Sequence, residues 1–97
     1  MSRPRICRRI RCRPHATYFK PAGIRAIDLD EIVLTFEEYE AIRLVDLEEI
    51  EQAKSGTMMK ISQPTLSRLL KSARKKISEA IIKGKAIKIE GGNYSFS

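Results

Sequence analysis

From the middle of the chain onward, Leu66, Leu69, Leu70, Ala73 and Ile77 recur at three- and four-residue steps. That spacing draws one apolar stripe along a helix. At about 100° per residue, Pro64, Arg68, Lys71 and Lys75 point the opposite way. Ser62 marks the start, because its hydroxyl can accept an orphan amide proton of the first turn. Pro64 falls in that turn, where a missing N–H costs little. The Ser62 hydroxyl is therefore left to bond to Thr65. The helix is expected to run to Lys83, with Gly84 as its stop.

A second helical pattern covers "LTFEEYEAIRLVDLEEI" (Leu34–Ile50). Thr35 followed by Glu38 is a capping box, and Leu34 can staple against Tyr39. Phe36, Tyr39, Ile42, Val45 or Leu44, and Leu47 are its expected buried stripe. "EQAKSGTMM" is a poorer helix, because Ser55, Gly56 and Thr57 are weak formers. Its small residues still allow another helix to come close. The segment Ala86–Glu90 alternates, Ile87 and Ile89 against Lys88 and Glu90, as a half-buried strand does. A strand needs a partner, and the β-like Thr17–Phe19 is the best candidate, from the same chain or a neighbour's. After Thr17–Phe19 the chain turns at Pro21 and Gly23, and a short acidic loop follows before Leu34, with Ile24, Ile27 and Leu29 available for packing.

Ninety-seven residues fit one domain with a modest core. Residues 1–16 read as a basic arm, 35–83 as the helical core and 85–92 as the C-terminal strand. Trp is absent, so the core rests on Leu, Ile and Val. The net charge of +7 is unevenly spread: +8 over residues 1–25, −9 over 26–53 and +8 over 54–97. A basic arm, an acidic middle and a basic end suit a protein that aims both basic parts at phosphate. No apolar run approaches the roughly 20 residues of a membrane span, so no membrane role is expected. The basic N-terminus lacks the apolar stretch of a signal peptide, which makes the cytoplasm the default.

A short helix, a tight turn and a second helix with a polar, basic outer face form the helix-turn-helix arrangement. In it, residues near the start of the second helix reach base edges: here Gln63, Pro64, Thr65, Ser67 and Arg68. Gln suits adenine, Arg suits guanine, and Thr can bond a base or touch a thymine methyl. Lys60, Lys71, Arg74 and Lys75 would hold phosphates and set register. The plain alternative is an amphipathic helix with a solvated cationic face.

The stretch "LTFEEYEAIRLVDLEEIEQAKSGTMMKISQPTLSRLLKSARKKI" resembles the helix-turn-helix of region four of bacterial sigma factors. The shared signs are "LT" before an acidic helix, then "IS", "PT" and "R", then "ARKKI". A closer resemblance is to domain-of-unknown-function family 134, small proteins also known as uncharacterised protein family 0251. It extends to "RPRICRRI", "YFKPAGI" and "GKAIKIEGG" and so covers nearly the whole chain. It implies a sigma-region-four-like DNA-binding domain; with the strand pattern above, the expected fold is mainly α with a short β element from its N- and C-terminal segments. Two departures stand out. The family turn favours Gly where Lys60 stands, which implies a left-handed Lys60 at a cost of about 1 kcal/mol. Where Gly56 stands a small Ala is common, so close packing is kept while the helix is weakened.

The remaining chemistry is thinner. Arg3, Arg5, Arg8 and Arg9, with the other arginines of the arm, are expected to touch phosphate, as a minor-groove arm or a diffuse tail. Cys7, Cys12 and His15 have the form C-x4-C-x2-H, three ligands where structural zinc wants four; no metal or cofactor is expected. Glu37, Glu38 and Glu40 read as a solvated charge run, not as catalytic acids. His15 has no visible nucleophile and no Gly-rich phosphate loop is present, so an enzyme is not expected. RNA binding would want an aromatic stacking platform that is missing. Double-stranded DNA is the expected partner, read by a homodimer because one such motif covers few base pairs. The rival reading is an interaction module whose acidic Glu37–Glu51 surface docks a transcription-machinery protein.

Overall fold

In the computed structural model, residues 9–10, 14–92 and 95–96 are described. The elements are β1 (Arg9–Ile10), β2 (Tyr18–Phe19), a 3-10 turn (Ala26–Asp28), β3 (Glu31–Leu34), α1 (Phe36–Ile42), a π-helical turn (Arg43–Leu47), α2 (Gln52–Met59), α3 (Gln63–Lys83), β4 (Ala86–Ile89) and β5 (Ser95–Phe96). The architecture is mainly α with a short β element. Three helices pack beside a three-stranded sheet of order β2-β4-β3.

The local signals act as their chemistry dictates. Thr35 and Glu38 close both halves of the capping box, at 3.2 and 2.9 Å. Ser62 caps α3 by accepting the Thr65 amide at 3.3 Å, with Pro64 in the first turn. Gly84 ends α3 at φ 66°. Lys60 ends α2 in the left-handed region at φ 60°, ψ 42°, as the tight turn requires. Gly56 lies inside α2, where a Cβ would meet the Ile61 carbonyl oxygen at 3.1 Å. Its missing side chain lets the turn fold back closely on α2.

Leu66, Leu70, Ala73 and Ala80 are the buried line of α3. Leu66, Leu70 and Ala73 join two clusters. Ala41, Leu44, Met59, Leu66 and Leu70 bind α1, the π-helical turn and α2 to the first half of α3. Leu34, Ala73 and Ile89, backed by Phe36, Tyr39, Ile42 and Ile87, pin the sheet to its middle. β4 pairs antiparallel with β2, Tyr18 opposite Lys88 and Phe19 opposite Ile87. The partner expected at Thr17–Phe19 is thus supplied by the same chain.

Three expectations are corrected. β4 has a second, parallel partner in β3, Ile32 opposite Ile87 and Leu34 opposite Ile89. The segment before α1, read as a loop, is therefore partly a strand, and Ile27 within the preceding turn is 84% exposed. Leu47, expected in the buried stripe, is 74% exposed. The cause is the π-helical turn, closed by the Glu48 amide donating to the Arg43 carbonyl at 2.9 Å. This i→i−5 bond inserts one residue into the turn, so Leu44 points inward while Leu47 swings out. The acids of α1 are not solvated either: Glu37, Glu38 and Glu40 are all buried.

Candidate functional site

The tight turn and the start of α3 form a cationic, hydroxyl-bearing face. Lys60, Gln63, Pro64, Ser67, Arg68, Lys71 and Lys75 are all exposed. Their spacing puts Pro64, Arg68, Lys71 and Lys75 in one outward row along about 17 Å of helix. Thr65 is half-buried. Its hydroxyl accepts from the Ser62 hydroxyl at 2.8 Å and, at 3.5 Å, from the Arg68 guanidinium. Thr65 thus spends part of its hydrogen-bonding capacity on the cap, and it leans Arg68 toward the start of the helix. The row owes its direction to the opposite face, where Leu66 and Leu70 are locked into the first core cluster.

Arg74 is placed differently from its neighbours. Its guanidinium donates two bonds to Asp46 of the π-helical turn, at 2.6 and 3.1 Å. Those bonds raise its pKa above the ordinary arginine value. Arg74 therefore ties α3 to the end of the π-helical turn, whereas Lys71 and Lys75 point into solvent.

Behind the row lies a polar network that the periodicity does not reveal. Lys76 donates to Glu38 at 2.7 Å, and the Ser72 hydroxyl donates to the other oxygen of the same carboxylate. Burial pushes the Glu38 carboxyl up, but the bonds from Lys76, Ser72 and the Thr35 amide outweigh it and hold it below the usual carboxylate value. One turn away, Arg43 grips Glu40 with two bonds of 2.8 and 2.9 Å and reaches Glu48 at 3.3 Å. Glu40 is wholly buried, so this fork supplies the charge partner that a buried carboxylate requires. At the far end of α3, Lys85 and Glu79 pair at 2.8 Å; their bond raises the Lys85 pKa and lowers that of Glu79. Lys76 and Asp46 escape a reading of the sequence because their partners lie 38 and 28 residues away.

The other expected site residues are scattered. Arg3, Arg5, Arg8, Cys7 and Cys12 lie outside the described residues. Arg9 belongs to β1, which pairs parallel with β5. His15 is exposed and lines a groove with Tyr39, Ile42 and Ile77. Among the described residues, no helix is long and apolar enough to cross a membrane.

The family model described as "Protein of unknown function DUF134" matches residues 1–97. A UPF0251 protein of Thermoanaerobacter sp. strain X514 is 53% identical over 94 residues, covering 97% of this chain and 83% of that protein. One from Caldanaerobacter subterraneus subsp. tengcongensis is 54% identical, covering 97% and 80%. One from Dehalococcoides mccartyi is 52% identical, again covering 97% and 80%. No solved structure matches the chain. The chain belongs to the DUF134 family of UPF0251 proteins.

Proposed function

We propose that this DUF134 protein binds double-stranded DNA through a helix-turn-helix and acts as a transcriptional regulator, by occupancy and not by chemistry. The observation that carries the reading is the outward row on α3. Arg68, Lys71 and Lys75 are exposed on the outward face of α3, directly after a tight turn and the Ser62 cap. In this geometry α2 props α3, and the first turns of α3 enter the major groove. Gln63, Pro64, Ser67 and Arg68 meet base edges, and Lys60, Lys71 and Lys75 meet phosphates. Arg74 serves mainly as a strut to Asp46, and Thr65 mainly as part of the cap. The arginines of the arm add phosphate contacts from the N-terminal side. The rival reading, docking through the acidic segment, is weakened by the burial of Glu37, Glu38 and Glu40.

The test separates base contacts from phosphate contacts. DNA sites are selected from random duplexes and affinities measured across a salt series. Arg68→Ala should weaken the preferred site by about 1–3 kcal/mol and relax base preference. Lys75→Ala should weaken all sequences alike and reduce the salt slope by about one. Equal losses on selected and random duplexes from both variants would reject this recognition face.

A further inference from the structure

An apolar stripe runs along the flank of α3 and is open at both ends. At one end Leu47, 74% exposed, shares a groove of about 560 Å³ with Tyr39, Ile42 and Ile77. Two exposed acids, Asp46 and Glu48, line it together with Arg43 and His15, and the exposed Glu49 follows Glu48 in the chain. One turn beyond Ile77 comes Ile81, 72% exposed. Ile81 walls a second groove, of about 360 Å³, with Phe19, Pro21 and Ile87, and this one is edged by Lys20 and Lys85. Phe19 is itself 53% exposed. The stripe therefore has an acidic apolar knob at one end and a basic apolar groove at the other. Near the knob Arg74 and Asp46 neutralise each other, and Arg43 is shared between Glu40 and Glu48; at the groove Lys85 is paired with Glu79, so the net charge rests on Glu48 and Glu49 at one end and on Lys20 at the other.

We propose that this stripe is an interface between two copies of the chain, with Leu47 of each copy seated in the Phe19–Ile81 groove of the other. Charge complementarity selects a second copy as the occupant. A two-fold axis across the stripe turns it end for end, so the acidic end of each copy meets the basic end of the other, twice. A partner of uniform charge would match one end and be repelled by the other. The exposed apolar area is on the order of a few hundred Å², less than the roughly 800 Å² per partner of a standard interface. The charged ends therefore form a large share of the contact, which makes the dimer weak and salt-sensitive. Ile81 lies roughly a third of a turn around α3 from the outward row, which leaves Arg68, Lys71 and Lys75 uncovered in the dimer.

Sedimentation equilibrium of the full chain without DNA tests this, independently of whether the chain binds DNA. At about 100 μM, where a weak interface of this size is populated, the wild type should be dimeric at low salt and dissociate as salt rises. Leu47→Asp should be monomeric. Glu49→Lys and Lys20→Glu should each raise the dissociation constant about tenfold, since each places two like-charge contacts in the homodimer. Mixing those two variants should restore wild-type affinity, because the heterodimer matches both ends again. That rescue cannot come from misfolded chains. A monomeric wild type would overturn the proposal. So would a dimer indifferent to all three substitutions, or charge-swap variants that mixing fails to rescue.

Discussion

Helices α1 and α3 both carry several charges, yet the fold treats them in opposite ways. The acids of α1 turn inward. Glu40 is wholly buried beneath Arg43, and Glu38 is held by Ser72, Lys76 and the Thr35 amide. The cations of α3's outer row turn outward, and Arg68, Lys71 and Lys75 remain exposed. The difference teaches which charges support the structure and which are available to a partner. A buried carboxylate persists only when its bonds offset its desolvation. An exposed lysine adds little to stability, so its worth lies in what it can touch.

The sharpest way to break this contrast is to remove the cation that grips a buried acid. Arg43→Met leaves Glu40 without its bidentate partner and should cost about 3–5 kcal/mol. In a chain of this size that lowers Tm by on the order of 20 °C, readable by circular dichroism. The double variant Glu40→Met/Arg43→Met should recover most of the loss, because an apolar pair of similar volume carries no desolvation penalty.

Lys76→Met should cost less, about 2 kcal/mol, the scale of a hydrogen bond to a charged group. It should also change the acid limb of stability. Glu38 is held below its ordinary pKa in the fold, so its contribution is complete above the unfolded carboxylate pKa. It is lost as pH falls through the lowered folded value. Urea denaturation across that acidic range should fall less steeply in the variant; an unchanged slope would remove Glu38 as a source of acid sensitivity.

Lys60→Gly should act in the opposite direction. Relief of the left-handed Lys60 is partly offset by the greater freedom of glycine in the unfolded chain, leaving a gain of about 0.5–1 kcal/mol. If Lys60 holds a phosphate, the same variant is more stable and binds DNA less tightly, a separation that one pair of measurements would show. Smallest of all are Lys71→Ala and Lys75→Ala, expected within about 0.5 kcal/mol of the wild type in urea. A larger loss would mean that the outward row supports the fold, and the contrast with α1 would fail.

The sequence by itself determined the elements whose causes lie within a few residues. The capping box at Thr35 and Glu38, the Ser62 cap, the Gly84 stop and the apolar line of Leu66, Leu70 and Ala73 are local hydrogen bonds and local periodicities. They were legible for that reason. The same locality exposed the candidate site, because an outward row follows from an inward one on the same helix. The left-handed Lys60 came instead from resemblance to a family whose turn favours glycine there. Tertiary structure alone decided the rest. Whether Glu38 faces water or Lys76 depends on a residue 38 positions away, and the bond from Arg74 to Asp46 spans 28. The parallel pairing of β3 with β4 required the whole helical core as its crossover. The exposure of Leu47 turned on one extra residue in a π-helical turn, which rotates everything after it. Hydrophobic periodicity carries no term for any of these, because each depends on which distant surface the helix happens to meet.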